Sequence, residues 1–281
     1  MVAVMCPAAP PPATGPVTRP IPTASDRPIL AFFDVDNTLM RGTSLFQLGR
    51  EAMQRRLITW RQLLPFAWHQ LSFIRKGEND AHLASAKERA LGLAGGFTQE
   101  QVGEIAEHIW EHRIKGRLYA ETVALAQEHI AKGHEVWLLS ATPVEIGALM
   151  ARHLGLTGAL GTRVEVVDGV YTGRLVGSVL HKGEKAVAAR ELAERAGADL
   201  ADCWAYSDSR NDLPLLEAVG NPTVVNPDAI LAIHALRHEW PVLLLTPRSI
   251  KEAQRRVRRR ARDVRRRARR AEPEGGAAAG D

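Results

Sequence analysis

Two aspartates lie two residues apart, directly after a short apolar run near the start of the chain. Residues 29–33 read ILAFF, and they are followed by Asp34, Asp36 and Thr38. An apolar run that ends this abruptly predicts a buried parallel strand, and ligands bind at the carboxyl edge of such sheets. There, one carboxylate can attack phosphorus or bind a cation while the other transfers a proton. A helix N-cap or a turn uses the same residue types, so this pattern alone leaves both interpretations open.

A hydroxyl residue follows a second apolar run of the same kind. Residues 135–139 read EVWLL, and Ser140 and Ala141 lie between this run and a helix predicted over 143–154. The Ser140 hydroxyl and the next backbone amides could bind a phosphate oxygen, because free N–H groups and the helix dipole favour anions at a helix N-terminus. A plain serine cap of the helix is the alternative interpretation.

Two further segments offer a cation and more carboxylates. The segment HKGEK at 181–185 leads into a helix predicted over 185–196, and a lysine there could hold a carboxylate together with a phosphate. The segment YSDSRND at 206–212 ends another apolar run. Its Asp208 is predicted to bind a hard cation, which prefers oxygen ligands, and Asp212 is predicted as an outer-shell group or lysine partner. A solvated lysine and a simple acidic turn are the alternatives.

Residues this far apart can meet only if a sheet aligns the ends of its strands, and the rest of the sequence predicts such a sheet. Apolar runs alternate with helical patterns that end at glycine, with strands at 29–33, 135–139, 203–206 and 223–225 and helices at 122–132, 143–154 and 185–196. This alternation predicts an α/β fold with a doubly wound parallel, Rossmann-like sheet. Residues 164–175 are predicted as a β-hairpin, because Asp-Gly separates two alternating arms.

Composition divides the chain into regions. Residues 1–28 are predicted to be a disordered leader, because they are rich in proline and poor in large apolar residues. Residues 42–116 contain helical patterns and no convincing strand, and they are predicted as a helical cap inserted into a core of residues 29–41 and 117–247. Residues 248–281 are predicted to form a basic, partly disordered tail.

The positive charge of the chain is concentrated in that tail. Residues 248–270 contain thirteen Lys or Arg and two acids, so they carry +11 and leave the other residues at −6 within the formal total of +5. Such a segment could make weak contact with an anionic membrane or with nucleic acid, and a solvated extension is the alternative. Two cysteines in unrelated surroundings, and no apolar run long enough to span a bilayer, predict a cytoplasmic protein that is at most membrane-peripheral.

In their order along the chain, the DVDNT segment at 34–38, Ser140, Lys182 and Asp208 resemble the motifs of the haloacid dehalogenase superfamily. The resemblance covers residues 29–227 and is strongest to the phosphoserine-phosphatase-like (HAD-IB) branch. It implies a Mg²⁺-dependent phosphomonoester hydrolase, or phosphatase, that forms an aspartyl-phosphate intermediate.

The family pattern also implies a role for each acid. Asp34 would attack phosphorus, and Asp36 would protonate the leaving oxygen and then activate water. Mg²⁺ would lie between the Asp34 carboxylate, the Asp36 backbone carbonyl and Asp208, with Asp212 in the outer shell. The acid at position 36 favours phosphate chemistry over dehalogenation, because dehalogenases of this superfamily lack it.

For the phosphate and the rest of the substrate, the resemblance implies further contacts. Ser140, Ala141 and Lys182 would bind phosphoryl oxygens; Lys182 is preferred because its Lys-Gly-Glu order matches the family, and Lys185 is the alternative. Arg89 would correspond to a carboxylate-binding arginine of the cap, with a surface arginine as the alternative. The predicted substrate is a small phosphorylated metabolite, either phosphoserine-like or a lipid phosphate.

The chain departs from the phosphoserine phosphatases at one position. Thr43 stands where those enzymes have a glutamate that grips the amino group of the substrate, and this argues against phosphoserine itself. Two alternatives to the hydrolase stay open. One is transfer of phosphate to an acceptor other than water, and the other is a membrane- or nucleic-acid-associated binding protein with residual phosphatase activity.

Overall fold

The computed structural model describes residues 27–56 and 95–245. Six parallel strands form its main sheet: β1 (Leu30–Asp34), β2 (Glu135–Pro143), β3 (Gly158–Thr162), β6 (Trp204–Ser207), β7 (Asn221–Val225) and β8 (Val242–Leu243). They lie in the order β3-β2-β1-β6-β7-β8. A separate antiparallel hairpin pairs β4 (Val164–Val167) with β5 (Val170–Leu175).

Helices connect these strands within the described ranges. The α-helices are α1 (Ser44–Gln54), α2 (Gln99–Ile109), α3 (Ala120–Ala131), α4 (Val144–Leu154), α5 (Gly183–Ala196), α6 (Leu213–Leu216) and α7 (Ala229–Arg237). A π-helical turn, Trp110–Ile114, continues α2, and short 3₁₀ turns occupy Lys115–Arg117, Leu200–Asp202 and Arg210–Asp212. None of the described helices is long and apolar enough to cross a membrane.

The side chains of β1 alternate between two hydrophobic cores, one on each face of the sheet. Ala31 and Phe33 pack in one core with side chains of α4, and Leu30 and Phe32 pack in the other with side chains of α5. All four β1 side chains are fully buried. A strand that is buried on both faces reads as a continuous apolar run, and this confirms the predicted doubly wound parallel sheet.

The central position of β1 determines where a ligand can bind. After β1 the chain adds β2 and β3 on one side of it and later adds β6, β7 and β8 on the other. In open parallel sheets, ligands bind at the carboxyl ends of the strands where the strand order reverses in this way. The carboxyl ends of β1, β2 and β6 are therefore the expected place for a site.

The four predicted strands and the predicted hairpin are confirmed, with shifted ends. The hairpin turn has positive φ at Asp168 and Gly169, the geometry that Asp-Gly favours. Two strands, β3 and β8, were not predicted, because GALGT at 158–162 has no long apolar run and β8 has two residues. The described part of residues 42–116 contains only helical elements and turns apart from isolated bridges, and its division from the core as a cap stays a prediction.

One glycine holds the turn before β7 against the turn before β6. The backbone N–H of Gly220 donates to the Leu200 carbonyl at 2.9 Å, and a Cβ at Gly220 would lie 1.7 Å from the Ala201 carbonyl oxygen. No L side chain fits there without moving backbone. By contrast, a Cβ at Gly103, inside α2, would meet no atom within 4 Å.

We therefore expect Gly220→Ala to lower the free energy of unfolding by at least about 2 kcal/mol, because the backbone must shift. Gly103→Ala is the matched control, and it should raise the free energy of unfolding by about 0.5–1 kcal/mol because alanine restricts the unfolded chain. Urea denaturation at pH 7 measures both. Equal stabilities for the two variants would contradict the close packing at Gly220.

Candidate active site

The predicted acids and the predicted serine meet at the carboxyl ends of three neighbouring strands. Asp34 is the last residue of β1, Ser140 lies in β2, and Asp208 follows the last residue of β6. Strand β1 pairs with both of the others, which brings their ends side by side. The side chain of Asp34 is 8% exposed, so this carboxylate lies in an environment that solvates charge poorly.

A buried lysine joins two of the carboxylates. The ammonium group of Lys185 contacts Asp34 Oδ1 and donates to Asp212 Oδ2 at 2.7 Å, and its side chain is 5% exposed. Ser207 Oγ also donates to Asp212 Oδ2, at 2.7 Å. Asp212 thus lies beside Lys185, as expected of a lysine partner, and its role in the outer shell of a metal stays a prediction.

The geometry favours Lys185, the alternative, over Lys182 as the lysine beside Asp34. Lys185 lies on the buried face of α5, next to Ala186 and Ala189, and this face packs against the sheet. Lys182 precedes the helix as its N-cap, with φ of 54°, and it is partly exposed. A role of Lys182 in phosphate binding stays a prediction.

The site contains more negative than positive charge. Burial raises the pKa of Asp34 well above its ordinary value, and the carboxylates of Asp212, Asp36 and Asp208 raise it further against the lowering effect of Lys185. Burial, together with Asp212, raises the pKa of Asp208 to about 7. For Lys185, burial alone would lower the pKa, but Asp212 and Asp34 outweigh burial and raise it. Four acids thus interact at a site that holds one buried lysine, which contacts two of them, and a bound cation would relieve their repulsion.

This donor set suits Mg²⁺ better than a metal that needs many side-chain ligands. Among residues 27–56 and 95–245, no group of three or more His, Cys, Asp or Glu side chains is arranged to hold a metal by itself. Magnesium is usually bound through one or two carboxylates and retains several waters, with substrate phosphate completing its shell. Asp34 and Asp208 would provide the two carboxylates, and the excess of negative charge would attract the ion.

The end of β2 that carries Ser140 is fixed by contacts with β3 and with the segment before α5. Thr162 Oγ1 donates to the Ala141 carbonyl at 2.8 Å and accepts from the Leu180 N–H at 3.1 Å. At Gly161, a Cβ would lie 2.7 Å from Val144 Cα, so only glycine allows β3 to approach the start of α4 this closely. Helix α4 begins at Val144, and its N-terminus adds donors that favour a phosphate.

Three hydroxyl residues at the site were not identified from the sequence. Ser44 donates to Asp36 Oδ1 from its backbone N–H at 2.8 Å and from Oγ at 2.5 Å, and its Oγ also lies 2.5 Å from Thr142 Oγ1. Thr38 Oγ1 donates to Asp208 Oδ1 at 3.5 Å. Thr38 is part of the DVDNT segment, and Thr142 lies two residues after Ser140, so both are close in sequence to predicted site residues. Ser44 belongs to neither motif, and no sequence pattern links it to the site.

The part of the site that would contact the rest of a substrate is only partly described. Arg89, the predicted carboxylate-binding residue, lies outside the described residues, as does the segment 57–94. Thr43 is the N-cap of α1, where its side chain makes no capping hydrogen bond, and it is exposed.

Comparison with known proteins places the chain in a family. Residues 31–217 match the model of the haloacid dehalogenase-like hydrolase family. Over 251 residues the chain is 43% identical to phosphoserine phosphatase SerB1 of Mycobacterium tuberculosis, with 84% of this chain and 82% of that protein covered. It is 30% identical to the histidinol-phosphatase of Neisseria meningitidis over 219 residues, which cover 76% of this chain and 97% of that protein.

A solved structure shows the same fold. The crystal structure of a protein with unknown function from Bordetella pertussis superposes with a TM-score of 0.69 at 29% identity, covering 77% of this chain and 98% of that one. The fold and the site thus define a hydrolase with an aspartate at the end of its central strand. The chain belongs to the haloacid dehalogenase-like hydrolase family, and the relatives compared here are named as phosphatases.

The two lysines can be separated by matched substitutions. We expect Lys185→Met to lower kcat by at least about 10²-fold, because removing a preorganised charge beside a nucleophile costs this much or more. Lys182→Met should have a clearly smaller effect on kcat, and its effect should fall mainly on KM. Hydrolysis of p-nitrophenyl phosphate measures both parameters. A larger loss of kcat in Lys182→Met than in Lys185→Met would reverse the assignment.

Proposed function

We propose that this protein is a Mg²⁺-dependent phosphomonoester hydrolase that works through an aspartyl-phosphate intermediate on Asp34. The observation that supports it best is the buried Asp34 carboxylate at the end of β1, held by Lys185, with Asp36 two residues further along and Ser140 on the adjacent strand. Nucleophile, acid and phosphate-binding hydroxyl are the groups that phosphoryl transfer requires, because it depends on positioning and on charge neutralisation.

In the first step, an oxygen of Asp34 attacks phosphorus and the bond from phosphorus to the substrate oxygen breaks. Lys185 already binds Oδ1, so Oδ2 is the attacking atom. Asp36 gives its proton to the leaving oxygen, and the alcohol departs. In the second step, Asp36 accepts a proton from water, which attacks phosphorus and releases phosphate and the Asp34 carboxylate.

Charge on the transferring group is neutralised from several sides. The phosphoryl oxygens accept hydrogen bonds from Ser140 Oγ, from the amides at the start of α4, and from Lys182 or Lys185. Asp34, the backbone carbonyl of Asp36 and Asp208 would hold Mg²⁺. When bound, this ion supplies positive charge beside the phosphoryl group and lowers the cost of bringing a phosphate next to buried carboxylates.

The proposed substrate is a small phosphorylated metabolite, either phosphoserine-like or a lipid phosphate. The relatives reported above are named for two different phosphate esters, so membership of the family does not select one. Thr43 replaces the glutamate that would bind an amino group, and this makes phosphoserine itself the weaker candidate. Phosphate transfer to an acceptor other than water would use the same first step.

The mechanism is tested by p-nitrophenyl phosphate hydrolysis with Mg²⁺ or with EDTA. We expect wild type to require Mg²⁺ and Asp34→Asn to lose at least about 10³-fold in turnover, because the amide cannot attack phosphorus. Asp168→Asn, in the exposed hairpin turn, is the matched control and should behave as wild type. Undiminished Mg²⁺-dependent turnover by Asp34→Asn would exclude Asp34 as the nucleophile. Added glycerol or another alcohol that becomes phosphorylated would identify a phosphotransferase.

We also propose a contact between α7, the basic segment 248–270 and an anionic lipid bilayer. Ile230, Ile233 and Leu236 lie three residues apart on α7 and are 49%, 53% and 80% exposed. Leu244, which is 72% exposed, lies four residues before the segment that carries a net charge of +11. Exposed apolar side chains that precede an arginine-rich segment in the sequence favour an anionic bilayer over nucleic acid. A bilayer can bind apolar side chains and positive charge, whereas nucleic acid mainly attracts the charge.

Vesicle sedimentation tests this contact. The full chain should bind vesicles of phosphatidylcholine with phosphatidylglycerol and should not bind phosphatidylcholine alone. The double substitution Ile233→Ser with Leu236→Ser should weaken binding several-fold, whereas Val187→Ser, which is 45% exposed on α5, should not. Binding that is unaffected by the double substitution would leave the apolar side chains without a role. Tighter binding to duplex DNA than to vesicles would identify nucleic acid as the partner instead.

A further inference from the structure

Three hydroxyl side chains form a continuous hydrogen-bonded chain from the phosphate-binding serine to Asp36. Ser140 Oγ donates to Thr142 Oγ1 at 2.9 Å, and Thr142 Oγ1 lies 2.5 Å from Ser44 Oγ. Ser44 Oγ then donates to Asp36 Oδ1 at 2.5 Å. The three hydroxyl residues are each at most 4% exposed, so little water competes for these bonds.

The number of protons fixes the direction of this chain. The backbone N–H of Ser44 donates to Asp36 Oδ1, so a proton carried by Asp36 belongs on Oδ2 and Oδ1 is the acceptor. The single proton of Ser44 Oγ therefore points to Asp36 Oδ1. Ser44 Oγ then has to accept from Thr142, and Thr142 in turn accepts from Ser140. Each hydroxyl uses its one proton in the direction of Asp36, which makes the chain sensitive to the loss of any member.

Ser44 is itself held in place from the far end of its helix. Glu51, seven residues further along α1, is 3% exposed in its side chain and accepts from Arg55 at 2.9 Å and from Arg113 at 2.9 Å. Arg113 belongs to the π-helical turn after α2, so α1 is tied to this turn at one end and to Asp36 at the other. A rigid helix can therefore hold Ser44, and through it Asp36, at a defined position.

We propose that Ser44 and Thr142 are positioning residues that orient the Asp36 carboxyl group for proton transfer. Both bonds from Ser44 go to Oδ1, and we assign proton transfer to Oδ2. A phosphoryl oxygen at Ser140 competes for the proton that Ser140 now gives to Thr142, so substrate binding and the orientation of Asp36 are linked through Thr142. This inference rests on the proposed aspartyl-phosphate mechanism and adds to it the residues that control its acid and base.

The leaving group determines how strongly the first chemical step depends on Asp36, whereas the second step depends on Asp36 with every ester. p-Nitrophenolate is a weak base and leaves without a proton, whereas phenolate is more basic and needs one. Hydrolysis of the phosphoenzyme always requires a proton to pass from water to Asp36. A misoriented Asp36 therefore slows the second step with either ester and slows the first step selectively with phenyl phosphate.

The experiment compares Ser44→Ala and Thr142→Val with wild type under Mg²⁺. With p-nitrophenyl phosphate, we expect steady-state turnover to fall about 10- to 100-fold, after a burst of nitrophenol close to one per enzyme. Protein-bound phosphate, measured after an acid quench, should rise in parallel. With phenyl phosphate, the two variants should release phenol without a burst, because formation of the phosphoenzyme is then slowed as well. Thr142→Ser should restore wild-type behaviour, and Thr172→Val, an exposed threonine of β5, is the matched control.

The outcomes separate the inference from the mechanism on which it rests. If wild type depends on Asp34 and Mg²⁺ but Ser44→Ala hydrolyses both esters as wild type does, the positioning role is wrong and the mechanism stands. Equal losses with both esters, no phosphoenzyme and a lowered Tm would assign Ser44 and Thr142 a structural role alone. If wild type and Asp34→Asn are equally active, the proposed mechanism itself fails.

Discussion

The ammonium group of Lys185 lies buried between the carboxylates of Asp34 and Asp212, and much of the structure is arranged around this contact. Burial of a charged group is costly unless its partners are close and hydrogen-bonded. The lysine comes from α5, and its partners come from β1 and from the turn after β6. Three distant parts of the chain must therefore pack correctly before the charge of the lysine is compensated. The same packing places the Asp34 carboxylate at the carboxyl edge of the sheet, where a substrate can reach it.

One lysine does not neutralise four neighbouring acids, and this imbalance explains the chemistry proposed for the site. Burial raises the pKa of Asp34 and of Asp208, and repulsion from neighbouring aspartates raises both further. A bound divalent cation would lower this repulsion and would favour binding of a phosphate dianion that the carboxylates alone would repel. The hydroxyl chain from Ser140 through Thr142 and Ser44 meets a different need, because it orients Asp36 without adding charge.

Much of the fold and half of the site could be predicted from the chain. The apolar runs before Asp34 and before Asp208 are local signals, because a strand buried on both faces must be apolar at nearly every position. Strand β3 was not predicted, since its glycines reflect close contacts rather than strand propensity. Gly158 lies against Trp137, and Gly161 lies against the backbone of Thr142 and Val144. The sequence could not decide which of Lys182 and Lys185 lies beside Asp34, because the rotation of α5 against the sheet determines which lysine is buried.

The sequence by itself determined the order of chemical groups along the chain, the strand ends that carry them and the family to which they belong. Tertiary structure alone decided which lysine meets Asp34 and which hydroxyls meet Asp36. Ser44 and Thr142 are 98 residues apart, and they touch because the start of α1 packs against the carboxyl end of β2. Local spacing is visible in a sequence because neighbouring residues share one backbone geometry. Contacts between separate elements depend on how those elements pack, which no local pattern encodes.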